Sequence, residues 1–172
     1  MADRFTFERL ANHSRSDFSS GDSALDAYLK RQAGQDQRRH VATCFVLVDA
    51  GSQRVVGYYT LSASSLDFEA LPNAVSQRLP RYPLVPAVLL GRMAVDARYQ
   101  GQGFGRRLLV HALLQALGIT PQVAAYAMIV DAKSDESAQF YERFGFERLG
   151  KESLRLFLPM ATIARLATNQ PS

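Results

Sequence analysis

The chain has one cysteine, Cys44, and no tryptophan among its 172 residues. A single cysteine cannot close an internal disulfide, which excludes a secreted disulfide scaffold and fits a reducing compartment. Cys44 lies in a β-branched run, so a buried, neutral thiol is expected. No stretch reaches the ~18 consecutive apolar residues of a membrane span, and Met1-Ala2-Asp3-Arg4 leads into no apolar run of signal length. A soluble, cytoplasmic protein with no membrane partner is expected. His13, His40 and His111 share no ligand-like spacing, and neither a zinc pattern nor a Ser/His/Asp order stands out, so no metal is expected. Repeats, low-complexity segments and long linkers are also missing, which predicts one domain over residues 1–172. What is present is a chain that is 47% hydrophobic with a net charge of only +4, apolar enough to offset its ordering entropy and bury a core.

The charge is unevenly spread. Residues 30–40 carry Lys30, Arg31, Arg38 and Arg39 against Asp36, while residues 71–110 carry Arg78, Arg81, Arg92, Arg98, Arg106 and Arg107 against Asp96 alone. Six arginines without a lysine suggest a polyanion partner, because the guanidinium fork suits phosphate; a solvated face that keeps the protein soluble is the competing reading.

Local patterns predict an α/β protein. Asp22-Ser23-Ala24-Leu25-Asp26 opens a helix over residues 22–33, with Ser23 and Asp26 as the capping signal. Val41–Val48 and Val55–Ala63 read as strands joined by a hairpin turn at Asp49–Gln53. Residues 67–86 hold four prolines and predict an irregular excursion with a short helix near Ala74–Arg78. Ala87–Val95 reads as a strand, and a helix from Arg106 carries the stripe Leu108, Leu109, Ala112, Leu113, Ala116 and Leu117. Val123–Val130 is an apolar run suited to a strand covered on both faces. Ser134–Phe144 predicts a helix capped by Ser134 or Asp135 and stopped by Gly145, followed by a strand through Leu154, Leu156 and Leu158 and a short helix over Met160–Ala167.

The most informative stretch is Met93-Ala94-Val95-Asp96-Ala97-Arg98-Tyr99-Gln100-Gly101-Gln102-Gly103-Phe104-Gly105-Arg106-Arg107, a strand followed by glycines that open an amphipathic helix. A helix start offers unpaired N–H groups at the positive end of its dipole, and glycines let a phosphate come close. The Walker pattern is missing, and the dinucleotide fingerprint fails because Arg106 stands where its last glycine should be. Gln100-x-x-Gly103-x-Gly105 instead resembles the pyrophosphate loop of the GCN5-related N-acetyltransferases, the GNAT family. The later run Asp135-Glu136-Ser137-Ala138-Gln139-Phe140-Tyr141-Glu142-Arg143-Phe144-Gly145-Phe146 is similar to that family's A-x-x-x-Y-x-x-x-G-F signature, with Tyr141 three residues after Ala138 rather than four and Asp135 where the family has asparagine.

The resemblance implies a GNAT fold: a mixed, mostly antiparallel central sheet, splayed between its fourth and fifth strands and flanked by helices. It implies acetyl-CoA in that gap, with Met93 and Val95 main-chain groups on the pantetheine, the loop Gln100, Gly101, Gln102, Gly103, Phe104, Gly105 and Arg106 on the pyrophosphate, and Asp135 and Ala138 nearby. An amine attacks the thioester directly, an N–H near Ala94 or Val95 stabilises the oxyanion, and Tyr141 protonates the departing thiolate. Phe140 and Phe144 are read as packing residues. No acid lies on the strand beside the site, although Asp67 and Glu69 remain candidate bases. A lysine amine of pKa ~10.4 is under about 0.1% neutral at pH 7, whereas an α-amine of pKa ~7.7 is about one-sixth neutral, so a site without an obvious base suits an α-amine.

Phe18–Leu29, the run from Pro86 through Leu89-Leu90-Gly91-Arg92-Met93 to Asp96, and Leu156–Met160 are similar to the TacT- and AtaT-type acetyltransferase toxins of bacterial toxin–antitoxin pairs. That resemblance implies acetylation of the α-amine of aminoacyl-tRNA, a ribbon–helix–helix antitoxin as partner, and a homodimer. Arg78, Arg81, Arg92 and Arg98, with Lys30, Arg31, Arg38 and Arg39 as a second patch, would then meet tRNA phosphates. Two other readings stay open: acetylation of a small amine or protein N-terminus without a toxin role, and a non-catalytic acyl-CoA-binding module.

Overall fold

A computed structural model describes residues 3–169; residues 1, 2 and 170–172 of the expected single domain lie outside the described residues. Seven strands form one sheet: β1 (Phe5–Arg9), β2 (Thr43–Asp49), β3 (Arg54–Asp67), β4 (Leu84–Val95), β5 (Ala127–Asp131), β6 (Glu147–Arg148) and β7 (Arg155–Pro159), in the order β1-β2-β3-β4-β5-β7-β6. The helices are α1 (Ser23–Ala27), α2 (Ala33–Arg38), α3 (Asn73–Ser76), α4 (Phe104–Ile119), α5 (Asp135–Glu142) and α6 (Met160–Thr168). The sheet is mixed and mostly antiparallel, as the GNAT resemblance implies, and its parallel pair is β4–β5.

Contacts cluster into two compact units, Met1–Ser62 with Gly91–Ala112 and Ala63–Leu90 with Leu113–Ser172. The core of the first unit gathers Phe18, Leu29, Val46, Tyr58 and Cys44, the last 1% exposed. Burial pushes the Cys44 thiol up to about 12, so it stays neutral as expected. The core of the second unit gathers Leu66, Val85, Ala87, Ile129 and Phe157.

Several boundaries differ from the sequence reading for identifiable reasons. β1 was not predicted, yet its alternation of half-buried Phe5 and Phe7 with exposed Thr6 and Glu8 suits an edge strand paired to β2. Asp22, not Ser23, caps α1: its backbone is extended and its carboxylate accepts from the Ala24 and Leu25 N–H groups. The helical segment then passes through a π turn, Tyr28–Gln32, and continues to Arg38. β5 begins only at Ala127, because the Gln122 and Val123 N–H groups still bond Ile119 O and Val123 lies 69% exposed. Ser134 rather than Asp135 caps α5; its side chain accepts from the Ser137 N–H, which leaves Asp135 as the first helical residue.

Candidate functional site

In the first unit, the informative stretch folds as strand, 3-10 turn, glycine bend and helix. The ladder between β4 and β5 runs only over Ala87–Leu90, paired to Ala127–Val130, while β4 continues to Val95. Met93 and Val95 are half-buried, and Ala94 is buried between them. Gly101 (φ +77°) and Gly103 (φ +84°) adopt left-handed backbone, with nothing within 4 Å of where a Cβ would stand. Gly103 O accepts from the Arg107 N–H, so Gly103 is the last residue before α4. The start of α4, at the positive end of its dipole, therefore lies beside two glycines without side chains. An anion can approach main-chain donors there, as a pyrophosphate requires.

The bend is held from below and from the side. Phe104 is buried against Phe5 (ring centroids 4.7 Å apart) and Tyr99 (5.9 Å), and the Tyr99 hydroxyl donates to Asp49 Oδ2 at 2.9 Å. Asp49 is fully buried; hydrogen bonds from Arg4 outweigh burial and, with those from Tyr99 and the Gly51 N–H, hold its carboxyl well below the usual carboxylate range. Gln100 Nε2 donates to Ser20 O (2.7 Å) and Val95 O (2.8 Å), tying the bend to the end of β4 and to residues 17–20. Asp96, 1% exposed, accepts from the Ser19 N–H and takes the Arg98 guanidinium on both oxygens at 2.9 Å. Burial alone would raise the Asp96 carboxyl, but the hydrogen bonds from Arg98 and Ser19 keep it below its ordinary value.

These contacts separate the predicted arginines. Arg98 is committed to Asp96 and Asp17, a role inside the scaffold that its sequence assignment to tRNA did not foresee. Arg107 reaches Asp3 at 2.9 Å. Arg92, exposed on β4, lays its guanidinium 3.7 Å from the Tyr28 ring centroid. Lys30 and Arg31 on the π turn, and Arg38 and Arg39 at the end of α2, are all exposed.

The second unit carries α5. Tyr141 is half-buried, edge-to-face with Phe140 (5.3 Å) and Phe146 (5.6 Å), and burial pushes its phenol up to about 12. The group therefore keeps its proton at neutral pH, as an acid must. Gly145 (φ +98°) stops the helix, and the Phe146 N–H returns to Tyr141 O. Ala138 is fully buried. Asp135 is exposed and paired with Arg148 at 2.8 Å, so its carboxylate is engaged with a cation on β6. Arg78 and Arg81 follow α3 and are exposed; among the described residues neither has an ion pair. Among the described residues no group of three His, Cys, Asp or Glu side chains could hold a metal ion, and no helix is long and apolar enough to cross a membrane.

Sequence reasoning missed Tyr28, Asp36, Ser19 and Asp49, which position the parts named above. The aromatic at Tyr28 reads as core on an apolar helical stripe, and nothing local marks its ring as a cation's seat.

Comparison with known proteins places this geometry. Residues 40–148 match the model of the acetyltransferase (GNAT) domain. A Mycobacterium tuberculosis (strain H37Rv) protein named tRNA-acetylating toxin is 36% identical over 143 residues, 83% of this chain and 84% of that protein. The solved structure of AtaT complexed with acetyl-methionyl-tRNAfMet is 30% identical, covers 95% of this chain and 99% of its own, and superposes with a TM-score of 0.87. A tyrosine-to-phenylalanine mutant of the AtaT toxin, bound to the C-terminus of the antitoxin AtaR and acetyl-CoA, is 28% identical over 98% of this chain and all of its own, with a TM-score of 0.81.

Proposed function

The chain belongs to the GNAT acetyltransferase family, and we propose that it is an acetyl-CoA-dependent toxin that acetylates the α-amine of aminoacyl-tRNA and so blocks translation. The observation that carries the substrate is the 36% identity, over most of the chain, to a protein named tRNA-acetylating toxin. Acetyl-CoA supplies an activated acyl thioester. The residues present fit such a group: Met93 and Val95 offer strand main chain beyond the β5 ladder, and the glycine bend presents the start of α4 to a diphosphate. Of the loop's side chains, Gln100 braces and Phe104 anchors, so these two shape the bend rather than reach the cofactor. Tyr141 Oη holds a proton at neutral pH and delivers it to a leaving thiolate. Asp96 is neutralised by Arg98 and no acid stands on β4 from Arg92 to Val95, which favours an amine that arrives partly deprotonated.

The exposed Arg78 and Arg81 in one unit, and the Lys30, Arg31, Arg38 and Arg39 cluster in the other, serve in this reading as phosphate contacts. A small ribbon–helix–helix antitoxin, a homodimer and a cytoplasmic site of action complete it. The test is direct: purified protein, acetyl-CoA and bulk charged tRNA should yield N-acetylaminoacyl-tRNA. If free amines or peptide N-termini are acetylated and charged tRNA is not, the substrate assignment fails.

A further inference from the structure

Arg92 is arranged in a way that its sequence position does not announce. Its guanidinium carbon lies over the Tyr28 ring, 3.7 Å from the centroid, while the residue stays exposed. Tyr28 is itself immobilised: it is 6% exposed, stacks on Tyr58 with ring centroids 6.3 Å apart, and donates from its hydroxyl to Asp36 Oδ2 at 2.8 Å. Asp36 is fixed in turn by Gln32 Nε2 on its other oxygen. The backbone beneath is a π turn, Tyr28–Gln32, a departure from α geometry that commonly accompanies functional sites. On the strand side, the Arg92 N–H donates to Thr60 Oγ1, and Thr60 is 1% exposed. Both ends of the arginine are therefore held, while among the described residues its guanidinium has no ion pair. A guanidinium seated over a ring by cation–π attraction still has N–H donors to offer, and its fork suits two oxygens of one anion.

We infer that Arg92 is a pre-organised fork for a backbone phosphate at the acceptor end of the tRNA, and that Tyr28 is the positioning residue that sets it. The choice of anion follows from chemistry. The amino acid on a charged tRNA has its carboxyl esterified, so the acceptor offers no carboxylate beside its amine, and the nearest anions are phosphodiesters. Arg92 is the residue before Met93 and two before Ala94, which puts the fork beside the proposed transfer site along β4. The inference rests on the tRNA reading above and adds a specific contact and a positioning device to it.

The experiment measures binding of an uncharged acceptor-stem RNA hairpin, and separately the kinetics with charged tRNA, for wild type and four variants. Arg92→Lys keeps the charge and loses the fork; Arg92→Gln loses both; Tyr28→Phe keeps the ring; Tyr28→Leu removes it. The expected result is hairpin binding weakened about ten-fold by Arg92→Lys, with an unchanged salt slope, and about as much by Tyr28→Leu. Arg92→Gln should lower the salt slope by about one. Tyr28→Phe should stay within about three-fold of wild type, a rescue that separates ring stacking from general damage. With charged tRNA, KM should rise with kcat and the KM for acetyl-CoA unchanged. Hairpin binding unaffected by Arg92→Lys, or equal loss of kcat in all four variants, would overturn the inference. Should wild type bind the hairpin but leave charged tRNA unacetylated, the functional reading fails while the binding series still decides the fork.

Discussion

Tyr141 combines a half-buried ring on α5 with a phenol pushed up to about 12, and that pairing has two measurable consequences. Tyr141→Phe removes the proton donor but keeps the ring against Phe140 and Phe146, so kcat should fall about 10²-fold or more while the melting temperature moves little. The pH profile follows from the sign of the shift. A group whose pKa is raised keeps its protonated, active form until pH approaches that raised value, so no descending limb from this acid is expected below about pH 10. The ascending limb belongs to the substrate amine, near pH ~7.7 for an α-amine. Measuring kcat/KM from pH 6 to 10 with an aminoacyl amide should show a rise and then a plateau; a fall beginning near pH 8 would remove Tyr141 from the acid's role. Asp49 argues from the opposite direction. Its buried carboxylate satisfies the Tyr99 hydroxyl and the Gly51 N–H, so Asp49→Ala should cost about 1–3 kcal/mol in chemical denaturation and loosen the glycine bend above Tyr99.

Among the elements, the glycine bend is the most demanding of its sequence. Gly101 and Gly103 both sit at positive φ, where a side chain costs roughly 1–2 kcal/mol. Gly103→Ala should therefore lower stability by about that much and raise the KM for acetyl-CoA more than it lowers kcat, because the first amides of α4 would be displaced. Equal KM values would show that the bend does not hold the cofactor. This element was legible in advance because its pattern is local: a strand, three glycines in five residues, then a long apolar stripe. α5 was legible for the same reason. β1 was not, since five residues ending in Glu8 and Arg9 make a weak alternating signal that acquires meaning only once β2 lies beside it. The π turn and the Asp36–Tyr28–Arg92 stack were hidden more deeply, because cation–ring contacts between residues 64 positions apart leave no periodic trace.

Over the whole molecule, a net charge of +4 understates the basic surface, because several acids are spent on arginines that brace the scaffold. By charge alone Arg98 and Arg81 are equivalent, but only Arg81 is exposed without an ion pair among the described residues. Reversal at Arg81 should weaken tRNA binding about ten-fold and flatten the dependence of log Kd on log salt. Arg98→Glu should instead act through stability, by stranding the buried Asp96 beside a second carboxylate. Filter binding across a salt series, paired with thermal melts, distinguishes the two; salt-insensitive binding would argue against a polyanion partner.

The strand β4 is zipped to β5 only as far as Leu90, yet it runs five residues further. In that stretch no ladder to β5 covers the β4 main chain, and main chain without a ladder partner trades amide protons with solvent. Loading with acetyl-CoA should then work as a stitch: protection of the Met93 and Val95 amides should increase in hydrogen exchange, and thermal resistance should climb with the ratio of ligand to its dissociation constant. The donor substrate would be, in that sense, the last strand the protein needs to finish folding.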